Sequence, residues 1–263
     1  MEVSVVIPNF NGIAFLDSVL ASLEGQTLNN FEVILVDNGS TDGSCSFVTA
    51  NYPWVHLIEL SENFGFCGAV NAGIRAAKAP YVLLLNNDTE VKEDFVEEML
   101  AAIRRHKNAF SCGARMVQYH DRDKLDDVGN YYCALGWSFA RGRGKDIHAY
   151  ETEDRIFSAC AGAAIYRKKI LEKIGYFDEE HFAYLEDTDI GYRARIYGYE
   201  NWYAPKAIVY HVGSGTSGSR YNQFKTRYSS RNNIYLIYKN MPLLQIILNL
   251  PFLVAGFLVK FLF

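Results

Sequence analysis

The chain has 263 residues, of which 49% are hydrophobic, and its formal net charge is -4. This length and apolar content suffice for one large α/β domain with a sizeable core, and they exclude a disordered chain. The charge is unevenly distributed, because no acidic residue follows Glu200 whereas seven basic residues do. We therefore expect an anionic partner for the C-terminal part of the chain.

Five scattered cysteines are odd in number and form no C-x-x-C pair, which predicts neither a disulfide framework nor a zinc site. A reducing compartment fits this usage best. The N-terminus runs directly into a strand-like segment, with no basic region or cleavage site before it. These features predict a cytoplasmic protein.

Apolar, β-branched runs alternate with segments of helical spacing through the first 90 residues. The predicted strands are Val3–Pro8, Phe31–Val36, Val55–Leu60 and Tyr81–Leu85, and the predicted helices between them are Ala14–Gly25 and Cys67–Ala77. This alternation predicts an α/β fold with a mostly parallel, doubly wound sheet. Ligands bind such sheets outside the carboxyl ends of the strands, where this chain places acids or amides.

The remaining chain is less regular. Helices are predicted over Asp94–His106, Lys168–Ile174 and Asp187–Tyr197, and a strand over Cys160–Tyr166, whereas residues 114–144 resist a single assignment. We expect one domain over residues 1–239, divided into residues 1–110 and residues 111–239.

The segment from Pro242 to Phe263 is strongly apolar and long enough to cross a bilayer, although Pro251 and Gly256 weaken that interpretation. Packing against the domain and contact with a membrane are both open. The basic residues just before it favour the membrane surface, because cationic segments are attracted to anionic leaflets. We therefore predict a membrane-associated helix over residues 240–263.

Two strand ends carry carboxylates that suit a nucleotide or a metal ion. Asp37 begins a turn and helix cap that would form even without a ligand, so on its own it is weak support. Asp88 follows a buried strand, and oxygen ligands there suit Mg²⁺ or Mn²⁺ shared with a diphosphate. The residue two positions before Asp88 is Asn86, which is uncharged, so only Asp88 brings a full negative charge to a metal ion. A second protein ligand is therefore expected from elsewhere in the chain. His211 is the candidate, although a lone histidine is more often structural.

A third acidic cluster is formed by Glu186, Asp187 and Asp189. Three acids in four residues can simply be a solvated helix start, which the helix dipole favours. The aromatic and apolar residues around them instead imply partial burial. Neighbouring buried carboxylates repel each other, so at least one should have a raised pKa, as a general base requires.

These segments together resemble the family 2 glycosyltransferases of the GT-A fold, especially bacterial rhamnosyltransferase-like members. The resemblance covers almost the whole chain. It is carried by Val5–Asn11, Val36–Gly43, Asn63–Gly73, Asn86–Asp88 and Gly175–Glu179, which leads to Glu186–Asp187. It implies a GT-A fold and transfer of a sugar from a nucleotide diphosphate.

The resemblance also implies roles for individual residues. Asp187 would be the catalytic base of an inverting displacement, and Asp88 would bind Mn²⁺ or Mg²⁺. Residues 1–110 would form the nucleotide-binding half and residues 111–239 the acceptor-binding half. Apart from the resemblance, His211 is the candidate second metal ligand, Glu186 and Asp189 are expected to orient the acceptor or the helix start, and Trp137 to stack on an acceptor sugar or to lie in the core. The nucleotide-sugar site would be formed by Pro8, Asn9, Asn11, Asp37, Asn63, Asn71, Asn86, Asn87 and Asp88.

The resemblance suggests dTDP-rhamnose as the first donor, and a UDP-hexose or UDP-N-acetylhexosamine as the second. We expect a glycan or lipid-linked acceptor in cell-surface polysaccharide synthesis at the inner membrane face, and no nucleic-acid partner. A dinucleotide-dependent oxidoreductase and a P-loop nucleotidase are excluded, because neither motif is present. A catalytically silent nucleotide-sugar-binding scaffold protein remains the alternative.

Overall fold

The computed structural model describes residues 1–213 and 222–262. The strands are β1 (Val3–Asn9), β2 (Phe31–Asp37), β3 (His56–Glu59), β4 (Tyr81–Leu85), β5 (Thr89–Val91), β6 (Ala109–Gln118), β7 (Leu125–Asp127), β8 (Asn130–Tyr132), β9 (Ser138–Ala140), β10 (Asp154–Ile156), β11 (Ala163–Arg167) and β12 (Glu200–His211). The helices are α1 (Ile13–Glu24), α2 (Ser44–Asn51), α3 (Gly65–Ala76), α4 (Phe95–Arg105), α5 (Lys168–Ile174), α6 (Glu186–Ile196), α7 (Gln223–Asn240) and α8 (Leu243–Leu262), with a 3-10 turn at Glu179–His181.

The N-terminal strands form the parallel part of the sheet, in the order β4, β1, β2, β3. The predicted doubly wound α/β fold is therefore confirmed. Val3 of β1 pairs with Phe31 of β2, and the register continues to Asn9 and Asp37 at the carboxyl ends. These two polar residues are thus neighbours at the sheet edge where ligands bind in such folds.

The sheet continues beyond β4 and becomes mixed. β11 lies antiparallel between β4 and β6, and β12 runs parallel to β6. The division predicted at residue 110 falls inside β6, so the two halves share one sheet. The strand β5 pairs with the end of β12, which brings His211 opposite Thr89, the residue after Asp88.

Alternate residues of the strands are buried on opposite faces of the sheet. Val5 and Ile7 of β1 pack into one core with α1 and α4, whereas Val6 packs into a second core with α3, α5 and α6. A sheet covered by helices on both faces produces strands that are apolar at every position. This explains why the first strands are continuous apolar runs.

The irregular region predicted over residues 114–144 contains the end of β6, the short strand β7 and the two-stranded hairpin of β8 and β9. The twelve-residue strand β12 was not predicted. Its pairing with β6 shifts between Ala204 and Ile208, around Pro205. Proline has no N–H to donate to a neighbouring strand, so within sheets it occurs at such irregularities. A proline inside the segment therefore argued against a strand in the sequence.

The C-terminal segment forms α8, with Pro251 inside the helix. Leu253 is buried against the domain, and a side chain at Gly256 would meet the carbonyl oxygen of Leu135 at 2.6 Å. Most other apolar side chains of α8 are exposed. Among residues 1–213 and 222–262, no helix combines the length and the apolar character that crossing a membrane requires.

Candidate active site

Asp37 is the centre of a buried hydrogen-bond network at the ends of β1, β2 and β4. Its Oδ1 accepts from Asn9 Nδ2 at 2.9 Å, and its Oδ2 accepts from the Ser40 amide at 2.8 Å. Asn9 Oδ1 in turn accepts from Asn87 Nδ2 at 2.7 Å. Asn9 and Asn87 were predicted to contact the nucleotide, but both are buried and hold Asp37 in place.

The loops after β1 and β2 are joined by reciprocal hydrogen bonds. The Thr41 amide donates to Asn11 Oδ1 at 2.8 Å, and the Asn11 amide donates to Ser40 Oγ at 2.8 Å. Asp42 Oδ2 accepts from the Ile13 amide at 2.9 Å, which fixes the start of α1. Asn11 is exposed and Pro8 is half-buried, so the predicted base contacts of both are sterically open.

Asn63 begins the turn into α3 at the rim of this network. Its Oδ1 accepts from Asn38 Nδ2 and from the Gly65 amide, both at 2.9 Å. The adjoining backbone approaches closely, because a Cβ at Gly39 would lie 2.8 Å from the Glu62 Cα. Asn63 is exposed, and its contact to the nucleotide stays a prediction.

Asn71 does not face this cleft, which corrects its predicted nucleotide contact. Its Nδ2 donates to the carbonyl of Phe177 at 2.8 Å and to Glu179 Oε1 at 2.9 Å, and its Oδ1 accepts from the Phe177 amide at 3.1 Å. The side chain is 1% exposed. It therefore joins α3 to the loop before the 3-10 turn, and both of its N–H donors are used within the protein.

His211 lies between two carboxylates. Its Nδ1 is 2.7 Å from Asp126 Oδ2, and its Nε2 is 3.4 Å from Asp88 Oδ1. The predicted pair of Asp88 and His211 is thus brought together by the pairing of β5 with β12. Asp126 was not predicted, because it lies in the region without an assignment.

The two carboxylates determine the charge of the His211 ring. Burial would lower its pKa, but the hydrogen bonds to Asp126 and Asp88 outweigh burial and raise the pKa to about 10. Burial would likewise raise the pKa of Asp126, whereas the bond from His211 lowers it. The ring is therefore a cation held by two carboxylates when no metal is bound.

The geometry fits an open metal site with two protein ligands. Within the part of the chain that the structure describes, no three His, Cys, Asp or Glu side chains are arranged to enclose an ion. Asp88 and the Nε2 of His211 nevertheless face each other, and Mn²⁺ or Mg²⁺ takes its remaining ligands from diphosphate oxygens and water. Asp126 on Nδ1 is the kind of partner that orients a metal-binding histidine.

Asp187 lies in the first turn of α6 and is held from several directions. Its Oδ1 accepts from the Thr188 amide at 2.6 Å, and its Oδ2 accepts from Asn130 Nδ2 at 3.2 Å. Burial raises its pKa, although the bonds from Thr188 and Asn130 act in the opposite direction. A partly desolvated, oriented carboxylate is what a general base requires.

The strand β7 connects the His211 cluster to Asp187. Asp126 on β7 bonds His211, whereas the next residue, Asp127, is buried near Asp187. Burial raises the pKa of Asp127 well above its usual range, and the charge of Asp187 adds to this effect. The Gly129 amide, which donates to Asp127 Oδ1 at 2.6 Å, acts in the opposite direction.

Glu186 is buried beside Asp187, and its Oε2 has no hydrogen-bond partner in the described structure. Burial, followed by the charge of Asp187, raises its pKa to about 8. Its predicted acceptor contact is compatible with this position. The sequence-based expectation of a raised carboxyl pKa in this cluster agrees with the surroundings of Glu186 and Asp187.

Asp189 does not line the cleft, which corrects its predicted acceptor contact. It is fully buried. One carboxylate oxygen accepts from Asn240 Nδ2 at 2.7 Å, and the other accepts from Arg193 Nε at 2.9 Å and Lys239 Nζ at 3.1 Å. Because these donors surround the carboxylate, Asp189 joins α6 to α7.

Trp137 lies in the loop between β8 and β9, against the C-terminal helix. A Cβ at Gly256 of α8 would meet Trp137 Nε1 at 3.2 Å. The ring is half-buried there, which points to a role in seating α8. Its contact with an acceptor stays a prediction.

Comparison with known sequences decides the family. The family described as "Glycosyl transferase family 2" matches residues 4–175. The chain belongs to the family 2 glycosyltransferases. The predicted resemblance is therefore confirmed, and the protein is a transferase by family.

Similar curated proteins come from bacteria. An N-acetylglucosaminyl-diphospho-decaprenol L-rhamnosyltransferase of Mycobacterium tuberculosis is 27% identical over 236 residues, which cover 81% of this chain and 77% of that protein. A poly-beta-1,6-N-acetyl-D-glucosamine synthase of Staphylococcus epidermidis is 22% identical over 228 residues, which cover 84% of this chain and 52% of that protein.

Similar solved structures establish the fold. GalNAc-T7, crystallised with UDP, GalNAc and Mn²⁺, superimposes with a TM-score of 0.71 at 14% identity, covering 90% of this chain and 48% of that chain. Residues 1–349 of S. aureus TarS give a TM-score of 0.62 at 20% identity, covering 99% of this chain and 71% of that chain. The predicted GT-A fold is thus confirmed.

Proposed function

We propose that this protein is an inverting glycosyltransferase in which Asp187 removes the proton from an acceptor hydroxyl. The position of Asp187 carries the proposal. It is oriented by Asn130 and Thr188, and it lies near β7, whose Asp126 supports the His211 and Asp88 pair. A catalytic base that strand β7 connects to a diphosphate site suits direct displacement at the anomeric carbon.

The donor side would hold the nucleotide diphosphate in the loops after β1, β2 and β4. Asp37, Asn11 and Asn63 would contact the base or ribose, and the rigid hydrogen bonds between their loops preorganise the site. Asn86 at the end of β4 would contact the nucleotide sugar. When bound, Mn²⁺ or Mg²⁺ on Asp88 and His211 would neutralise the charge that develops on the departing diphosphate.

Donor and acceptor are suggested by the relatives. The Mycobacterium tuberculosis protein is named for transfer of L-rhamnose to a lipid diphosphate, and it aligns over 81% of this chain. We therefore propose dTDP-rhamnose as donor and a lipid-linked glycan as acceptor in cell-surface polysaccharide synthesis. A UDP-hexose or UDP-N-acetylhexosamine is the second donor class.

A membrane-bound acceptor also suits the surface of α8. Leu243, Leu244 and Leu248 are 74%, 68% and 67% exposed, so this helix presents an apolar face that the domain does not cover. The preceding helix α7 carries the basic residues Lys225 and Arg227, while Arg220 lies outside the described residues. Arg231 and Lys239 of the same helix are instead bonded to backbone carbonyls and to carboxylates of the domain. We propose that α8 lies on the anionic inner leaflet of the cell membrane.

The transfer proposal is tested with Asp187→Asn. We expect kcat with dTDP-rhamnose and an N-acetylglucosaminyl-diphospho-lipid to fall by about 10²- to 10⁴-fold, because a general base contributes that factor. The Kd for dTDP, measured by calorimetry with Mn²⁺, should stay unchanged. Asp123→Asn, which alters an exposed carboxylate, is the control. Full transfer by Asp187→Asn would refute the assignment, and dTDP binding without turnover by the wild type would favour the silent scaffold protein.

The membrane proposal is tested with a double substitution, Leu244→Glu with Leu248→Glu. Both side chains are exposed, so the fold should persist while flotation with phosphatidylglycerol vesicles is lost. Ile196→Glu on α6 is the control, because it changes a side chain of similar exposure away from α8. Equal flotation of all three proteins would contradict docking through α8.

A further inference from the structure

The loop Phe182–Leu185, which leads into Glu186 and Asp187, has an unfavourable backbone. Phe182, Tyr184 and Leu185 have φ angles of 61°, 71° and 66°, although none is glycine. Phe182 combines its φ of 61° with a ψ of -62°, and the Ala183 amide donates to the His181 carbonyl at 2.7 Å. This is the strained form of γ-turn. Such backbone persists only where the surrounding structure fixes it.

Asn232 of α7 makes the contacts that fix this loop. Its Nδ2 lies 2.9 Å from the His181 carbonyl oxygen, 2.9 Å from that of Ala183 and 2.8 Å from that of Tyr184. The side chain is 0% exposed. The irregular turn leaves these carbonyl groups outside the hydrogen bonding of any helix or strand. The Asn232 amide therefore supplies hydrogen-bond donors for them.

Other α7 residues secure both ends of the same loop. Arg231 donates to the carbonyls of Glu180 and His181 before the turn. Asn240 donates to Asp189 at 2.7 Å in α6, after the turn. Helix α7 thus holds the chain on either side of Asp187. The Cys67 amide of α3 also donates to the Phe182 carbonyl, at 3.2 Å.

We propose that Asn232 is a positioning residue, which holds the loop at residues 182–185 in its strained conformation and so directs Asp187 into the cleft. The proposal rests on the assignment of Asp187 as the base. Among the described residues, the Asn232 side chain hydrogen-bonds with Arg231 and with the carbonyls of the loop, and with no residue of the nucleotide site. Its loss should therefore affect the catalytic base Asp187 and spare donor binding. This separates it from residues such as Asn9, which support the donor side.

Hydrogen exchange measures the effect of Asn232 without any need for substrate. Asn232→Asp keeps the size of the side chain but places a carboxylate oxygen against the loop carbonyls, and Asn232→Ala removes the donor. We expect amides 182–188 to exchange about tenfold faster or more in both variants, since these amides would open locally. Amides of β1 and β2 should be unaffected. Ser230→Ala, an exposed change on α7, is the control.

Kinetics with dTDP-rhamnose tests the consequence for catalysis. We expect kcat of Asn232→Ala to fall about 10- to 100-fold, as small misplacements of a catalytic group do, with an unchanged Kd for dTDP. Adding Leu185→Gly should restore part of this loss, because glycine adopts a positive φ without strain. Adding Leu185→Ala removes the same side chain but keeps the strain, and should restore nothing.

The outcomes separate this inference from the proposed function. Unchanged exchange of amides 182–188 in Asn232→Ala, or equal effects of Leu185→Gly and Leu185→Ala, would refute positioning by Asn232. Loss of kcat in Asp187→Asn together with wild-type kcat in Asn232→Ala would refute it as well. Wild-type kcat in Asp187→Asn would instead refute the base assignment, while faster exchange in Asn232→Ala would still support the role of Asn232 in ordering the loop.

Discussion

At the carboxyl ends of β1, β2 and β4, Asn9, Asp37 and Asn87 bond to one another and to loop amides, on strands whose register aligns them. By contrast, α6 begins after a loop with unfavourable backbone angles, and Glu186 Oε2 has no hydrogen-bond partner among the described residues. The polar groups of the donor side thus hydrogen-bond to one another, which keeps this side rigid. On the base side, the buried carboxylates and the irregular loop are instead held in place by α7, a helix that is distant in sequence.

The difference suits the two tasks. A nucleotide site gains affinity when its loops are already ordered, because less freedom is lost on binding. A general base needs a raised pKa, and burial among like charges provides this at a cost in stability.

On the donor side, the largest effect is expected at Asp126, the carboxylate that supports His211. Asp126→Asn should weaken Mn²⁺ binding by about 10- to 100-fold, because it removes the partner that orients the ring. Calorimetry with UDP present measures the affinity, and Asp121→Asn is an exposed control. An unchanged Mn²⁺ affinity would show that Nδ1 of His211 needs no carboxylate.

On the donor side, Asp37→Ala should lower the free energy of unfolding by about 2 kcal/mol, because the buried Asn9 amide and the Ser40 amide lose their acceptor. Urea denaturation measures this change. Glu24→Ala, an exposed position on α1, should leave the midpoint unchanged. Equal midpoints for Asp37→Ala and the wild type would indicate that the network is not rigid.

On the base side, Glu186→Gln should stabilise the protein increasingly with pH. The pKa of Glu186 is about 8 in the folded state because of burial and Asp187, against 4.5 ordinarily. The unfolded chain therefore releases this proton first, and stability falls as pH rises from about 4.5 to 8. Glutamine has no proton to lose.

Urea unfolding of wild type and Glu186→Gln at acidic, neutral and alkaline pH tests this expectation. The difference in free energy of unfolding should be smallest near pH 4.5 and largest above pH 8. A difference that is independent of pH would show that Glu186 ionises normally in the folded state.

The smallest effect is expected at the exposed ion pair between Arg75 and Glu179, whose atoms are 3.4 Å apart and whose side chains are both more than half exposed. Arg75→Ala should change the free energy of unfolding by less than about 0.5 kcal/mol, since water and salt screen such pairs. A larger loss in urea denaturation would mean that this pair also supports the loop near the 3-10 turn.

The donor side could be predicted from the sequence because its geometry follows from parallel strands. Apolar runs ending in Asn9, Asp37 and Asp88 must bring those residues to one sheet edge. Asn71 was misassigned because a buried amide that bonds Phe177 looks, in sequence, like an amide that bonds a ligand. Asp126 and Asp127 were missed because they lie in the short strand β7, within the region 114–144 to which the sequence pattern assigns neither helix nor strand.

The base side could be predicted only in part. The acids of α6 indicated a cluster, but nothing local distinguishes Asp187 from Asp189, which the donors of α7 neutralise from 50 residues away. Asn232 gave no signal, because an asparagine in a basic helix resembles a solvated residue. Contacts between elements so distant in sequence are set by the tertiary fold.

The configuration of the product tests the proposed transfer most directly. Proton NMR of the reaction with dTDP-rhamnose and an N-acetylglucosaminyl-diphospho-lipid reports the anomeric configuration of the first product formed. Displacement assisted by Asp187 predicts a sugar of configuration opposite to that in the donor. Retention of the donor configuration would contradict a single displacement with Asp187 as the base.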